Sequence, residues 1–227
     1  MLTRSLVAAL AAEAIGTFLF FVVGGGAAIA DAQTGGAVGL LGIALAHGLV
    51  LAVLATAFGP ISGGQFNPAV TVALWLVGKV RTIEGLRYIG AQLIGAVSAG
   101  LALKLAFGGF DGEPSVYGFG GGAVPTLSMG AGTPLLIGVE AVLTAVLVYA
   151  VLMTAVDGRA PKLGGLFIGG AVAVYSIFVT FHLANWSLSN RGLHCPVSFL
   201  STSDFVLHTV CVVVPRSGKH EHPDTST

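Results

Sequence analysis

The sequence predicts an all-α integral membrane protein, and composition, hydropathy and segment length all point that way. Of the 227 residues, 55% are hydrophobic and only 9% charged, against about a quarter charged in soluble domains. Mean hydropathy is +0.91. The apolar residues also gather into stretches long enough to cross a bilayer, which takes about 20 residues.

Five windows qualify as spans, at about 5–28, 39–59, 86–107, 134–156 and 163–182. A sixth apolar piece, 67–77, has about half the length. Glycine is abundant, 34 residues, and stands inside the apolar runs. Small residues there let membrane helices approach closely, which fits a bundle.

The first window carries Glu13. Arg4 before it and the small-residue run Ala28-Ile29-Ala30 after it also fit a secretory signal, but the run is too long for one and a carboxyl sits inside it. The second window carries His47 within ALAHGLVLA, readable either as a satisfied structural histidine or as a pore-lining group.

Between the second window and the short segment lies ISGGQFNPAVTVALWL, residues 61–76. Asn67 suits a helix N-cap and Pro68 the first helical position, where a missing N–H costs nothing. The stretch Gly59 to Phe66 is expected to be non-helical. Irregular backbone at membrane depth is tolerated only where it is buried in protein or lines a cavity. The half-helix that follows places partial positive charge at its start. That end would repel cations while the Asn67 amide hydrogen-bonds a neutral molecule; a purely structural loop is the competing reading.

In the third window, RYIGAQLIGA, Gln92, Gly90 and Gly95 read as helix-packing features without chemistry. The loop 108–133 carries Asp111 and Glu113 but no Lys or Arg, and its glycines mark an extended surface segment.

The fourth window opens an internal repeat. Glu140-Ala-Val-Leu-Thr144 matches Glu13-Ala-Ile-Gly-Thr17 at an offset of 127 residues. The copies stand in the first and fourth spans, three crossings apart, so they run in opposite directions, an inverted repeat that places a site between its halves. The offset forecasts a counterpart of Asn67 near residue 194, where the sequence reads HLANWSLSNRGLHCPV. Carboxyls inside spans are costly and are functional or paired. Glu13 and Glu140 are expected to support the re-entrant loops; proton carriage is the other reading.

Lys and Arg set orientation. With the N-terminus inside, Arg4, Lys79, Arg81, Arg87, Arg159 and Lys162 fall on the cytoplasmic side and Lys104 near an outer end. Net charge is zero, so no basic face invites nucleic acid. Cys195 and Cys211 form neither a CxxC nor a metal-ligand spacing. No nucleophile triad, phosphate loop or metal motif appears, so the expectation is a non-enzyme with no cofactor and no metal.

At SGGQFNPAVT the chain resembles the aquaporin, or major intrinsic protein, family, whose first re-entrant loop reads SGxxxNPAVT. AEAIGTFLFF in the first span, AHGL in the second, RYIGAQLIGA in the third and the Glu140 span extend the resemblance over roughly residues 5–181. It implies three spans plus a re-entrant half-helix, repeated in inverted orientation, in a homotetramer of independent pores in the lipid bilayer. It implies passage of water or a small neutral solute, in the plasma or inner membrane, with a cytoplasmic N-terminus. Asn67, Pro68 and Ala69 match the first pore motif. His47, Ser176 and Arg191 fall at positions of the selectivity constriction, Ser176 by counting back from the expected second loop.

The second half departs from that pattern. Relatives carry a loop like TGASxNPAR and then a sixth span; here only Asn190 and Arg191 echo it. The chain therefore divides into a channel domain, 1–182, with five spans and the first half-helix, and a divergent segment, 183–227, in place of the second loop and sixth span. Asn-Trp-Ser-Leu at 185–188 can be encoded AAC TGG AGC CTC, which one base later reads Thr-Gly-Ala-Ser. A disturbed reading frame explains the change; a non-conducting, truncated family member is the other explanation. Water is favoured over glycerol because His47 narrows the constriction and Gly192 stands where glycerol-conducting relatives have aspartate. An ion- or proton-coupled transporter using Glu13 and Glu140 is the rival from another class.

Overall fold

The computed structural model describes residues 5–107, 133–159 and 163–189. The elements are α1 (Leu6–Gln33), α2 (Gly39–Ser62), α3 (Pro68–Leu76), α4 (Thr82–Phe107), α5 (Thr133–Val151) with a π-helical turn (Leu152–Val156), and α6 (Gly164–Ser189). The described residues contain no strand. The loop 108–132, the remnant Asn190-Arg191 and both cysteines lie outside the described residues, and of Glu140 only the backbone is described.

Three helices are long and apolar enough to cross a membrane, Leu6–Asp31, Gly39–Ser62 and Thr82–Phe107. Shorter apolar stretches cover Ala141–Val156 and Gly164–Ile177. The outer faces are apolar, as Leu41, Leu45, Leu49 and Val53 along α2 show. Such a surface suits lipid, the surrounding that a helix apolar on every side requires.

Helix contacts are built on small residues. A Cβ on Gly169 would collide with the Gly48 carbonyl oxygen and with Ala52, and one on Gly165 with Thr56 and the Ala52 carbonyl. Residues 165, 169 and 173 thus form a Gly-xxx-Gly-xxx-Ala stripe against Gly48, Ala52 and Thr56. Close backbone approach of this kind drives helix association where lipid tails supply no hydrophobic effect. On the other side of the bundle, Gly95 of α4 meets the Ala14 carbonyl of α1. Gly90 has nothing near it, so only one of the two glycines expected to pack does so.

The first span runs five residues past its predicted end. Asp31 near its terminus accepts a hydrogen bond from Gly39 N–H at 2.7 Å and so caps α2 across the intervening turn. The second span also extends further than expected. Helix α2 passes through Pro60 to Ser62, and the non-helical stretch shrinks from Gly59–Phe66 to Gly63–Asn67. Pro60 removes only its own N–H from the last turn. The helix holds because Tyr88 Oη donates to the Ser62 carbonyl at 3.0 Å and Gly63 N–H to the Gly59 carbonyl at 3.0 Å.

The π-turn was not foreseen. Asp157 N–H reaches back to the Leu152 carbonyl at 3.0 Å, and Thr154 Oγ1 donates to the Ala150 carbonyl at 2.6 Å. Helix α6 continues through the predicted domain boundary at 182/183 as far as Ser189.

Candidate functional site

The site is the loop Gly63–Asn67 with the half-helix α3 behind it. Three residues of this loop take positive φ, Gly63 at 103°, Gly64 at 64° and Phe66 at 48°. Glycine adopts this region freely. A phenylalanine there is strained by about 1–2 kcal/mol, so its surroundings must hold it.

Helix α1 does so with one stripe at helical spacing, residues 13, 16, 17 and 20. The Glu13 carboxylate is fully buried. Its Oε1 accepts from Ser62 Oγ at 2.6 Å and Gln65 N–H at 3.0 Å. Its Oε2 accepts from Phe66 N–H at 2.7 Å and Gln92 Nε2 at 2.8 Å. Those four donors fill the acceptor sites of a carboxylate. Thr17 Oγ1 donates to the Phe66 carbonyl at 3.3 Å. The Phe66 ring lies where a side chain at position 16 would be, so only glycine fits there.

Gln92 is the residue that sequence reasoning passed over, and the expectation that it merely packs is corrected. It is fully buried, and its Nε2 bridges Glu13 to Thr71 Oγ1 at 3.0 Å. One amide on α4 thereby ties the loop to the first turn of α3. A polar residue inside an apolar span was the available signal.

Asn67 and Pro68 take the N-cap and first helical positions predicted for them. Asn67 has extended backbone and its side chain caps α3, with Oδ1 accepting from Ala69 N–H at 2.8 Å. Thr71 N–H and Oγ1 both donate to the Asn67 carbonyl, at 3.0 and 3.1 Å. The helix ends at Leu76, and Gly78 two residues on takes the left-handed region at φ 72°.

A narrow cavity of about 20 Å³ opens at this loop, room for about one water molecule. Gly64, Gln65 and Asn67 give it one polar wall. Phe20, Leu51 and Val70 form the apolar side nearest the loop, and Leu147, Val151, Ile168 and Val172, with Tyr175, close it from α5 and α6.

Of the predicted constriction residues, His47 and Ser176 do not line this cavity. His47 is buried, with Nδ1 donating to the Ile43 carbonyl at 2.9 Å and its ring edge-on to Phe20. Ser176 is buried on α6. His47 adjoins Gly48 and Ser176 stands about one turn beyond Ala173, so both flank the α2–α6 crossing. Gly24 of α1 leaves room for the imidazole, which would collide with any Cβ there. Arg191 lies outside the described residues, as does the side chain of Glu140. No group of three or more metal-ligating side chains occurs among the described residues.

Spans that meet through glycine, a half-helix entering between them and a narrow cavity with one polar wall define an integral membrane channel. The family model of the major intrinsic proteins matches residues 1–213, so it runs past residue 182 into the divergent segment. Aquaporin TIP2-1 of Arabidopsis thaliana is 38% identical over 217 residues, covering 91% of this chain and 81% of the relative. Aquaporin TIP4-4 of Zea mays is 40% identical over 179 residues, 73% of this chain and 67% of the relative. Aquaporin Z of Photorhabdus laumondii is 37% identical over 188 residues, 79% of each. The fold resembles the X-ray structure of the aquaglyceroporin from Plasmodium falciparum, with a TM-score of 0.58, 22% identity and coverage of 76% of this chain and 72% of that one. The chain belongs to the major intrinsic protein family.

Proposed function

We propose that this chain is a passive pore for water, open in principle to other small neutral solutes, and that Asn67 orients the molecule in transit. The cavity at Asn67 carries this reading: it has room for about one water molecule, with polar groups on the loop side and, Tyr175 apart, apolar residues opposite. Hydrogen bonds along one wall replace those a water loses on leaving bulk, and apolar walls keep it from being held. The Asn67 Oδ1 is committed to its own helix, so the amide meets a solute with its NH2 end. The positive end of α3 disfavours cations at the same point.

Glu13 supports a channel over a proton-coupled transporter, because its acceptor positions are taken up in holding the loop. His47, Ser176 and Arg191 complete the proposal as a constriction on one side of the cavity, and Asn190 as the partner of Asn67. The distribution of basic residues supports a cytoplasmic N-terminus, and the apolar outer faces of α2 and α4 suit both lipid and further copies in a homotetramer. Residues 1–182 form the channel domain, with 183–227 in place of the second loop and sixth span.

Stopped-flow light scattering on proteoliposomes tests this reading. Osmotic shrinkage faster than in empty vesicles, and indifferent to a pH gradient, is expected; solute uptake driven by that gradient would establish the transporter instead. In the same assay Asn67→Ala is expected to lower water permeability. Losing the cap also costs about 1 kcal/mol, a drop of about 2–4 °C in melting temperature; permeability equal to the unaltered chain would refute the role given to Asn67.

A further inference from the structure

Gln65 is a second polar side chain on the cavity wall, two residues before Asn67, and the site as described above does not use it. Its backbone N–H is committed to Glu13, and the residue is among those that line the cavity. The residue is 7% exposed, and its Oε1 accepts no hydrogen bond from any described group. Buried polar atoms are nearly always paired, and an unpaired one is costly. The terminal torsion of a glutamine is broad and soft, so the amide can turn into the cavity at little expense. What is missing is a donor, and the cavity holds about one water molecule.

We propose that Gln65 is a solute-binding residue of the pore, whose amide oxygen accepts a hydrogen bond from the molecule to which Asn67 donates. The inference rests on the channel reading above. An acceptor and a donor on one wall suit a molecule that both gives and takes a hydrogen bond, as water does. They also give that molecule an orientation, because its hydrogens are drawn toward position 65 and its oxygen toward position 67. The choice of Gln at 65 thus favours water and small hydroxyl or amide solutes over molecules of equal size that cannot donate.

The test uses the full chain in proteoliposomes at matched protein content. Gln65→Met and Gln65→Leu keep the bulk and remove the acceptor. Both are expected to reduce osmotic water permeability about three- to tenfold, the factor one net hydrogen bond is worth, and to raise its activation energy, with the melting temperature unchanged or higher. Gln65→Glu, which accepts at the same reach, is expected to stay near the unaltered chain. Unchanged permeability and activation energy in both apolar variants would overturn the proposal, as would a loss in Gln65→Glu equal to theirs. If vesicles with the unaltered chain respond no faster than empty ones, the channel reading falls and this inference with it.

Discussion

Glu13→Ala is expected to abolish water permeation and to leave little folded protein. The substitution strips a partner from four donors at once: Ser62 Oγ, Gln65 N–H, Phe66 N–H and Gln92 Nε2. Ser62 can turn to another acceptor, but the two backbone N–H groups are fixed by the loop. Each buried donor left unpaired costs about 1–3 kcal/mol, against a total stability of about 5–15 kcal/mol. The left-handed Phe66 also loses the contact that holds its backbone.

Glu13→Gln sharpens the test. Its shape fits, but an NH2 then faces two donors in place of one oxygen, so a partial loss of both melting temperature and permeability is expected. Melting followed by intrinsic fluorescence in detergent, beside osmotic permeability in vesicles, reads both effects. An alanine variant that melts and conducts like the unaltered chain would show that the loop is held by something else. A proton carrier would behave differently, since Glu13→Gln would spare stability and remove only pH-driven uptake.

The second large effect belongs to Gly169. Alanine there drives a Cβ into the Gly48 carbonyl and Ala52 of α2. These are mostly backbone atoms that cannot rotate aside, so the helices must part. Overpacking of this kind costs about 1–3 kcal/mol, a loss of about 2–12 °C in melting temperature for a chain of this size. Leu51 on α2 and Ile168 and Val172 on α6 line the cavity, so its shape and the water permeability change together. Gly170→Ala is the control: no atom lies within 4 Å of its Cβ, and alanine favours helix by about 1 kcal/mol. Equal melting temperatures for the two variants would contradict the assigned crossing.

The re-entrant half-helix was legible because its signals are local. Asn67 and Pro68 are neighbours, a cap and a first-turn residue, and the apolar run after them is visibly short. Glu13 was legible for a similar reason, as a carboxyl standing in an apolar run. Gln92 was not, because its partners Glu13 and Thr71 lie 79 and 21 residues away and nothing in RYIGAQLIGA points to them. Gly90 and Gly95 look alike in sequence, yet only Gly95 faces another backbone. The end of α2 was misread because Pro60 is a local breaker, while the contacts that carry the helix past it come from α4 and from the following turn.

By itself, then, the sequence determined the solvent, the spans, the inverted repeat and the half-helix with its cap, since hydropathy, length and capping act between near neighbours. Only the tertiary structure decided what holds the loop, which glycines are crossings and that Gln65 stands beside Asn67 in the cavity lining. Those facts depend on which faces of α1, α2, α4 and α6 meet, and a helix apolar on nearly every side does not announce its inward face. In a bilayer that face is chosen by backbone approach and by buried hydrogen bonds between distant residues, and neither leaves a periodic trace in the chain.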